Sequence, residues 1–176
     1  MRKHNLAFID LETTGLDPER HEIIELGCLV LRQPDLKSLA EIDLKIRPTH
    51  LETAEPEALA INGYSSGDWL FAVELESALK QLSEKASGAI MVAHNITFDW
   101  PFLERAFVLT GVKNTLASPR LDLLSMAFIK LYRQERLQRF NLRALADYFG
   151  LKNEQQHTAL NDIKISVEIY KKLQQT

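Results

Sequence analysis

A chain of 176 residues, 45% of them hydrophobic, can bury one core and is short for two, so a single domain over 1–176 is expected. Its 21 Lys and Arg against 24 Asp and Glu give a net charge of −3, which excludes the general basic excess of a protein that coats nucleic acid and leaves room only for local contacts. No window reaches the ~20 apolar residues of a membrane span, and Met1-Arg2-Lys3-His4 leads straight into a strand-like run, so the expectation is a cytoplasmic protein with no membrane partner; one cysteine, Cys28, excludes an internal disulfide.

In chain order, Leu6-Ala7-Phe8-Ile9 is an apolar run ending on Asp10, and Thr13-Thr14-Gly15-Leu16-Asp17-Pro18 supplies turn chemistry after it, which predicts a central strand. Residues 22–32 and 41–47 read as two more strands. The second alternates Ile42, Leu44 and Ile46 with Asp43, Lys45 and Arg47 before Pro48 stops it. Residues 56–61 read as a short helix closed by Asn62-Gly63, and 72–86 as a helix with Val73, Leu75, Leu79 and Leu82 at helical spacing. Then come a buried strand over 89–93, a helix over 99–110, a fifth strand ending at 121–123, and helices over 123–134, 142–149 and 159–174. A meander followed by βα units predicts an α/β fold with a mixed five-stranded sheet and helices on both faces.

Asp10 and Glu12 stand two apart at a strand end, where alternation points both carboxylates to the same side. Two acids that close repel unless a cation lies between them, and hard oxygen donors select Mg²⁺ or Mn²⁺; an isolated Asp-x-Glu is otherwise a solvated strand end. Asp99, ahead of Trp100-Pro101, fits a helix N-cap. His157 and Asp162 bracket the start of the last helix, placing the acid in its first turn, where the helix dipole favours it. A histidine of ordinary pKa can accept a proton at neutral pH, though alone it also reads as a surface residue. There is no Gly-x-Ser-x-Gly elbow, no phosphate-cradling glycine loop, and Cys28 sits in an apolar strand, so nucleophile-based hydrolysis and nucleotide-loop chemistry are not indicated.

Three segments together carry a family resemblance. Phe8-Ile9-Asp10-Leu11-Glu12-Thr13-Thr14-Gly15-Leu16 resembles the first motif of the DEDDh 3′→5′ exonuclease superfamily, His94-Asn95-Ile96-Thr97-Phe98-Asp99 the second, and His157-Thr158-Ala159-Leu160-Asn161-Asp162 the third, in that order along nearly the whole chain. The resemblance implies a ribonuclease H-like sheet and two divalent ions held by Asp10, Glu12, Asp99 and Asp162, with His157 as general base. It implies removal of nucleoside 5′-monophosphates from the free 3′ end of single-stranded DNA or RNA. It also implies that Thr13 and Leu16 line the pocket for the 3′ nucleotide. Within the family two branches remain: a polymerase-bound proofreading subunit, and a homodimeric oligoribonuclease that degrades short RNA, whose first motif usually has methionine where this chain has Thr13. A catalytically silent nucleic-acid-binding module is the reading from another class, set against an intact five-residue set.

Lys130, Arg133, Arg136 and Arg139 recur every three residues, followed by Arg143, and on a helix they would spread over one broad face. They are the clearest local basic excess, either a solvated face or a track for phosphates, with Arg133 and Arg136 as the candidate contacts. Of the aromatics able to stack on bases, Trp69, Phe71, Trp100 and Phe102, the two phenylalanines have apolar neighbours and read as core, while Trp100 reads as a surface position.

Overall fold

The computed structural model describes residues 3–151 and 158–175. Its sheet has five strands, β1 (Leu6–Thr13), β2 (Ile23–Leu31), β3 (Ser38–Lys45), β4 (Ile90–Ala93) and β5 (Ala117–Asp122), in the order β3-β2-β1-β4-β5. β1 to β3 form an antiparallel meander, while β1 pairs with β4, and β4 with β5, in parallel. The helices are α1 (Pro56–Ile61), α2 (Leu75–Lys85), α3 (Ile96–Thr110), α4 (Leu123–Leu131), α5 (Leu142–Tyr148) and α6 (Ala159–Gln175). None of the helices among the described residues is long and apolar enough to cross a membrane.

Strand alternation sorts the core into two layers. Ala7, Ile9 and Leu11 of β1 point to the face covered by α2 and α3, where they pack with Leu79, Leu82, Phe102 and Leu103. Leu6 and Phe8 point to the opposite face, under Leu123, Leu145, Ile163 and Ile169 of α4, α5 and α6. Helices thus cover both faces, as the strand and helix order predicts. Cys28 is fully buried, and desolvation pushes its thiol up to about 12, so it acts as a small hydrophobe.

Several boundaries differ from the sequence reading. β3 begins at Ser38 because a tight turn, with Leu36 N–H donating to the Arg32 carbonyl, returns the chain directly into register with Leu31. Val73 does not enter α2: it bridges to Ile46, exchanging backbone hydrogen bonds with Lys45 and Arg47. α3 starts at Ile96, so Asn95 takes the cap position and Asp99 falls within the first turn. α4 stops at Leu131, and Arg133, Arg136 and Arg139 therefore lie on no helix face. Two successive turns, Leu131 to Gln134 and Gln134 to Leu137, take over there and bring Leu137 into the core beside α5, where a continued helix would carry it outward.

The aromatics also redistribute. Phe102 is core, but Phe71 is 92% exposed, on the loop ahead of α2. Trp69 is buried, donating its indole N–H to the Ile24 carbonyl at 2.9 Å. Trp100 packs against the α2–α3 layer with the Arg120 guanidinium 3.2 Å from its ring centre, so its face is occupied.

Candidate active site

The site grows from the carboxyl end of β1, the strand at which the meander meets the parallel half of the sheet, where open sheets place ligands. The alternation that buries Leu6 and Phe8 under α6 continues as Asp10 and Glu12, so both acids emerge on the α6 side. There Asp162, in the first turn of α6, meets them: one carboxylate oxygen from each of Asp10, Glu12 and Asp162 lies within 4.8 Å of the others. Asp99 arrives from the first turn of α3, 3% exposed, and accepts a hydrogen bond from the Leu11 N–H at 3.2 Å. All four acids line one open cleft of about 220 Å³, together with Leu11, Ile61, His94, Asn95 and Phe98.

The loop after β1 is set by close contacts. Thr14 exchanges hydrogen bonds with Glu22, and Thr13 donates its hydroxyl to the Gly15 carbonyl at 2.7 Å, so that hydroxyl is turned into the loop. Gly15 has no room for a side chain, since a Cβ there would lie 2.5 Å from the His21 ring. Leu16 follows at 74% exposed. Asn62, just past α1, donates to the Thr13 carbonyl at 2.8 Å, which ties this loop to the helix that carries Ile61.

Crowded and largely buried acids resist ionisation. Burial first, then the charges of Asp99, Glu12 and Asp162, hold Asp10 well above the ordinary carboxylate range. Glu12 is pushed up to about 8 by burial, with Glu25, Asp162 and Asp99 adding repulsion. Asp99 is likewise raised by burial, against the lowering effect of its backbone hydrogen bonds. An all-oxygen set of mutually repelling carboxylates fits a hard divalent cation, which would supply the charge the cluster lacks. Asp10, Glu12 and Asp162 form the tightest such group among the described residues, with Asp99 beside them.

Not every predicted site residue falls in this cleft. His157 lies outside the described residues. Arg133 and Arg136 are exposed on the turns after α4. Four contributors escape a reading of the sequence alone. Ile61, 65% exposed, and Phe98 give the cleft an apolar wall. Asp122 accepts from the N–H groups of Ile96 and Ser125, bracing the starts of α3 and α4 with one carboxylate. Glu25, 4% exposed on β2, stands directly opposite Glu12 and accepts from the Ala159 N–H at 2.8 Å. A signal for Asp122 existed in its place just before an apolar helix; none of comparable strength marks Glu25, whose partner is 134 residues away.

Comparison with known proteins places this arrangement. A family model described as exonuclease, RNase_T, matches residues 7–170. The PolC-type DNA polymerase III of Caldanaerobacter subterraneus is 29% identical over 167 residues, covering 93% of this chain and 11% of that polymerase. Ribonuclease T of Haemophilus influenzae is 28% identical over 179 residues, covering 93% and 76% of the two chains. Exonuclease I of E. coli, solved in complex with a dT13 oligonucleotide, superposes with a TM-score of 0.81 at 16% identity, over 97% of this chain and 41% of its own, a likeness of fold. The chain thus spans about a tenth of the PolC-type relatives. The sheet is ribonuclease H-like, and with the family model running from β1 to α6, the chain belongs to the RNase T exonuclease family.

Proposed function

We propose that this protein is a metal-dependent 3′→5′ exonuclease that hydrolyses the terminal phosphodiester of single-stranded DNA or RNA and releases nucleoside 5′-monophosphates. The observation that carries the reading is the convergence of Asp10, Glu12 and Asp162 within 4.8 Å, with Asp99 on the same cleft. These four would hold two divalent ions, Mg²⁺ or Mn²⁺, whose Lewis-acid chemistry neutralises charge at the reacting phosphate. The cleft, at about 220 Å³, suits the end of a strand better than a duplex, and its wall of Ile61 and Phe98 offers apolar surface to a base. Leu16, exposed beyond the Gly15 turn, is the further apolar group we assign to the 3′ nucleotide, with Thr13 shaping the loop that presents it.

His157 is assigned as the base that takes a proton from the attacking water, because it directly precedes Thr158, whose carbonyl accepts from the Asp162 N–H. Upstream phosphates are assigned to the segment after α4. Lys130, Arg133, Arg136, Arg139 and Arg143 against Glu135 give five positive charges and one negative, a net of +4 over 130–143. All five cations are exposed, and none is ion-paired among the described residues. The similarity to PolC-type polymerases supports a second assignment, in which the strand end is delivered by a polymerase partner.

The test uses 5′-labelled single-stranded DNA and RNA of several lengths with Mn²⁺, Mg²⁺ or EDTA, beside His157→Ala. The expected result is a ladder shortening from the 3′ end that EDTA and the variant abolish. Preference for RNA of a few nucleotides would assign the oligoribonuclease branch. Binding of both polymers without cleavage, at saturating metal, would replace the enzyme with a binding module.

A further inference from the structure

We propose that Glu25 is a positioning residue of this site, whose carboxylate fixes the first turn of α6 at the height where Asp162 meets Asp10 and Glu12. The inference deepens the exonuclease reading and rests on it for its catalytic consequence, though not for its structural one.

Three observations carry it. First, Glu25 faces α6: it is the register partner of Glu12, and Gly27, two residues along the same face of β2, is the partner of Asp10. Second, its Oε1 accepts the N–H of Ala159, the first residue of α6, at 2.8 Å. That amide has no intrahelical partner, and the Glu25 side-chain oxygen satisfies the open donor. Third, the joint has no slack. A Cβ built on Gly27 would lie 2.9 Å from the Ala159 carbonyl carbon, so α6 already touches the β2 backbone there.

The lever is short. Asp162 lies three residues, or about 4.5 Å of helix rise, beyond Ala159, and its own N–H is held by the Thr158 carbonyl at 3.1 Å. A displacement of Ala159 is therefore transmitted to Asp162 with little loss. Glu25 itself stands outside the group of carboxylate oxygens within 4.8 Å of one another, which separates a positioning role from that of a ligand. Burying an acid that is only 4% exposed is unfavourable unless its carboxylate is hydrogen-bonded, and the Ala159 N–H supplies that bond.

Glu25→Gln keeps an acceptor oxygen for Ala159 and removes the charge, whereas Glu25→Ala removes both. Three quantities would be measured on each: Mn²⁺ affinity by titration calorimetry with the metal alone, kcat and KM on a single-stranded oligonucleotide at saturating Mn²⁺, and Tm. Positioning predicts that Gln stays within about threefold of wild type in Mn²⁺ affinity and kcat. It predicts that Ala, assayed well below its Tm, loses about tenfold to a hundredfold in kcat with KM little changed, and binds Mn²⁺ about tenfold more weakly. If Ala lowers Tm but leaves kcat and Mn²⁺ affinity intact, the role is only structural and the proposal fails. If Gln loses Mn²⁺ as completely as Ala, Glu25 acts through its charge or as a ligand, and the proposal also fails. If Glu25→Ala does not fold, the Gln result decides alone. A wild-type chain that binds Mn²⁺ but cleaves neither polymer would overturn the exonuclease reading, and the calorimetric contrast between Gln and Ala would still judge the positioning.

Discussion

Gly27→Ala presses on the joint between β2 and α6 from below, and its effect can be worked from distances. The new Cβ would lie 2.7 Å from Ile163 Cδ1 and 2.9 Å from both the carbonyl carbon and the Cβ of Ala159, where ordinary contact begins at 3.4 Å. The Ile163 tip can rotate away, but the Ala159 backbone cannot. Full relief of the Ala159 contacts, from 2.9 to 3.4 Å, therefore moves α6 by about 0.5 Å. Overpacking of this kind costs about 1–3 kcal/mol, against a gain of about 0.4–1 kcal/mol from replacing glycine in the unfolded chain, so the clash wins. Since a misplacement of about 1 Å in catalytic geometry is worth roughly 10²-fold, half that distance at Asp162 predicts a kcat about tenfold lower. The assay is single-strand hydrolysis at saturating Mn²⁺ with thermal unfolding alongside. Gly67→Ala, whose Cβ would meet nothing nearer than Ser65 Oγ at 3.9 Å, is the internal control and should change neither. A Gly27→Ala protein with wild-type kcat and an equal or higher Tm would refute the tight joint.

Other consequences follow from the charges. Because folding raises Glu12 to about 8 from 4.5, the folded chain binds more protons than the unfolded one between those values, so metal-free stability should fall as pH rises through that window. Thermal unfolding in EDTA from pH 5 to 8 should show that decline, flattened by Glu12→Gln, with Mn²⁺ raising Tm more at pH 8 than at pH 5; a Tm that climbs over the same range in EDTA would contradict it. Asp10→Asn should abolish cleavage while raising the metal-free Tm at pH 8, since it removes a buried acid that Asp99, Glu12 and Asp162 all repel; a lower metal-free Tm would count against the repulsion. Arg133→Ala with Arg136→Ala should reduce the slope of log affinity against log salt by about 1.4, two phosphates at roughly 0.7 each for a single strand, measured by fluorescence anisotropy. An unchanged slope would remove those arginines from the substrate path.

What the sequence discloses here divides along a physical line. Asp10 and Glu12 are legible because strand alternation is local, and the same period that buries Leu6 and Phe8 also aims the acids. The meander and the βα units are legible because local periodicity marks each strand and helix in chain order, whereas the order β3-β2-β1-β4-β5 emerges only from the pairing. Glu25 is not legible, because its task depends on an antiparallel register and on a helix 134 residues later. The turns after α4 escape for a related reason: Lys130 to Arg139 keep a periodic spacing, but the pull of Leu137 into the core overrides helix propensity. Phe71 misleads in the opposite direction, since apolar neighbours in sequence do not cover it in space. Asp99 reads as a cap because Pro101 follows it, yet the helix begins at Ile96 and frees its carboxylate for the Leu11 N–H and the cleft.

The most direct test of the central claim compares one single-stranded oligonucleotide labelled at its 5′ end with the same strand labelled at its 3′ end, incubated with Mn²⁺ and either the wild-type chain or Asp10→Asn. The account predicts that the 3′ label leaves first, as a nucleoside 5′-monophosphate, while the 5′ label descends a ladder one nucleotide at a time, and that EDTA or Asp10→Asn stops both. Internal fragments, release beginning at the 5′ end, or cleavage that persists in EDTA would contradict it.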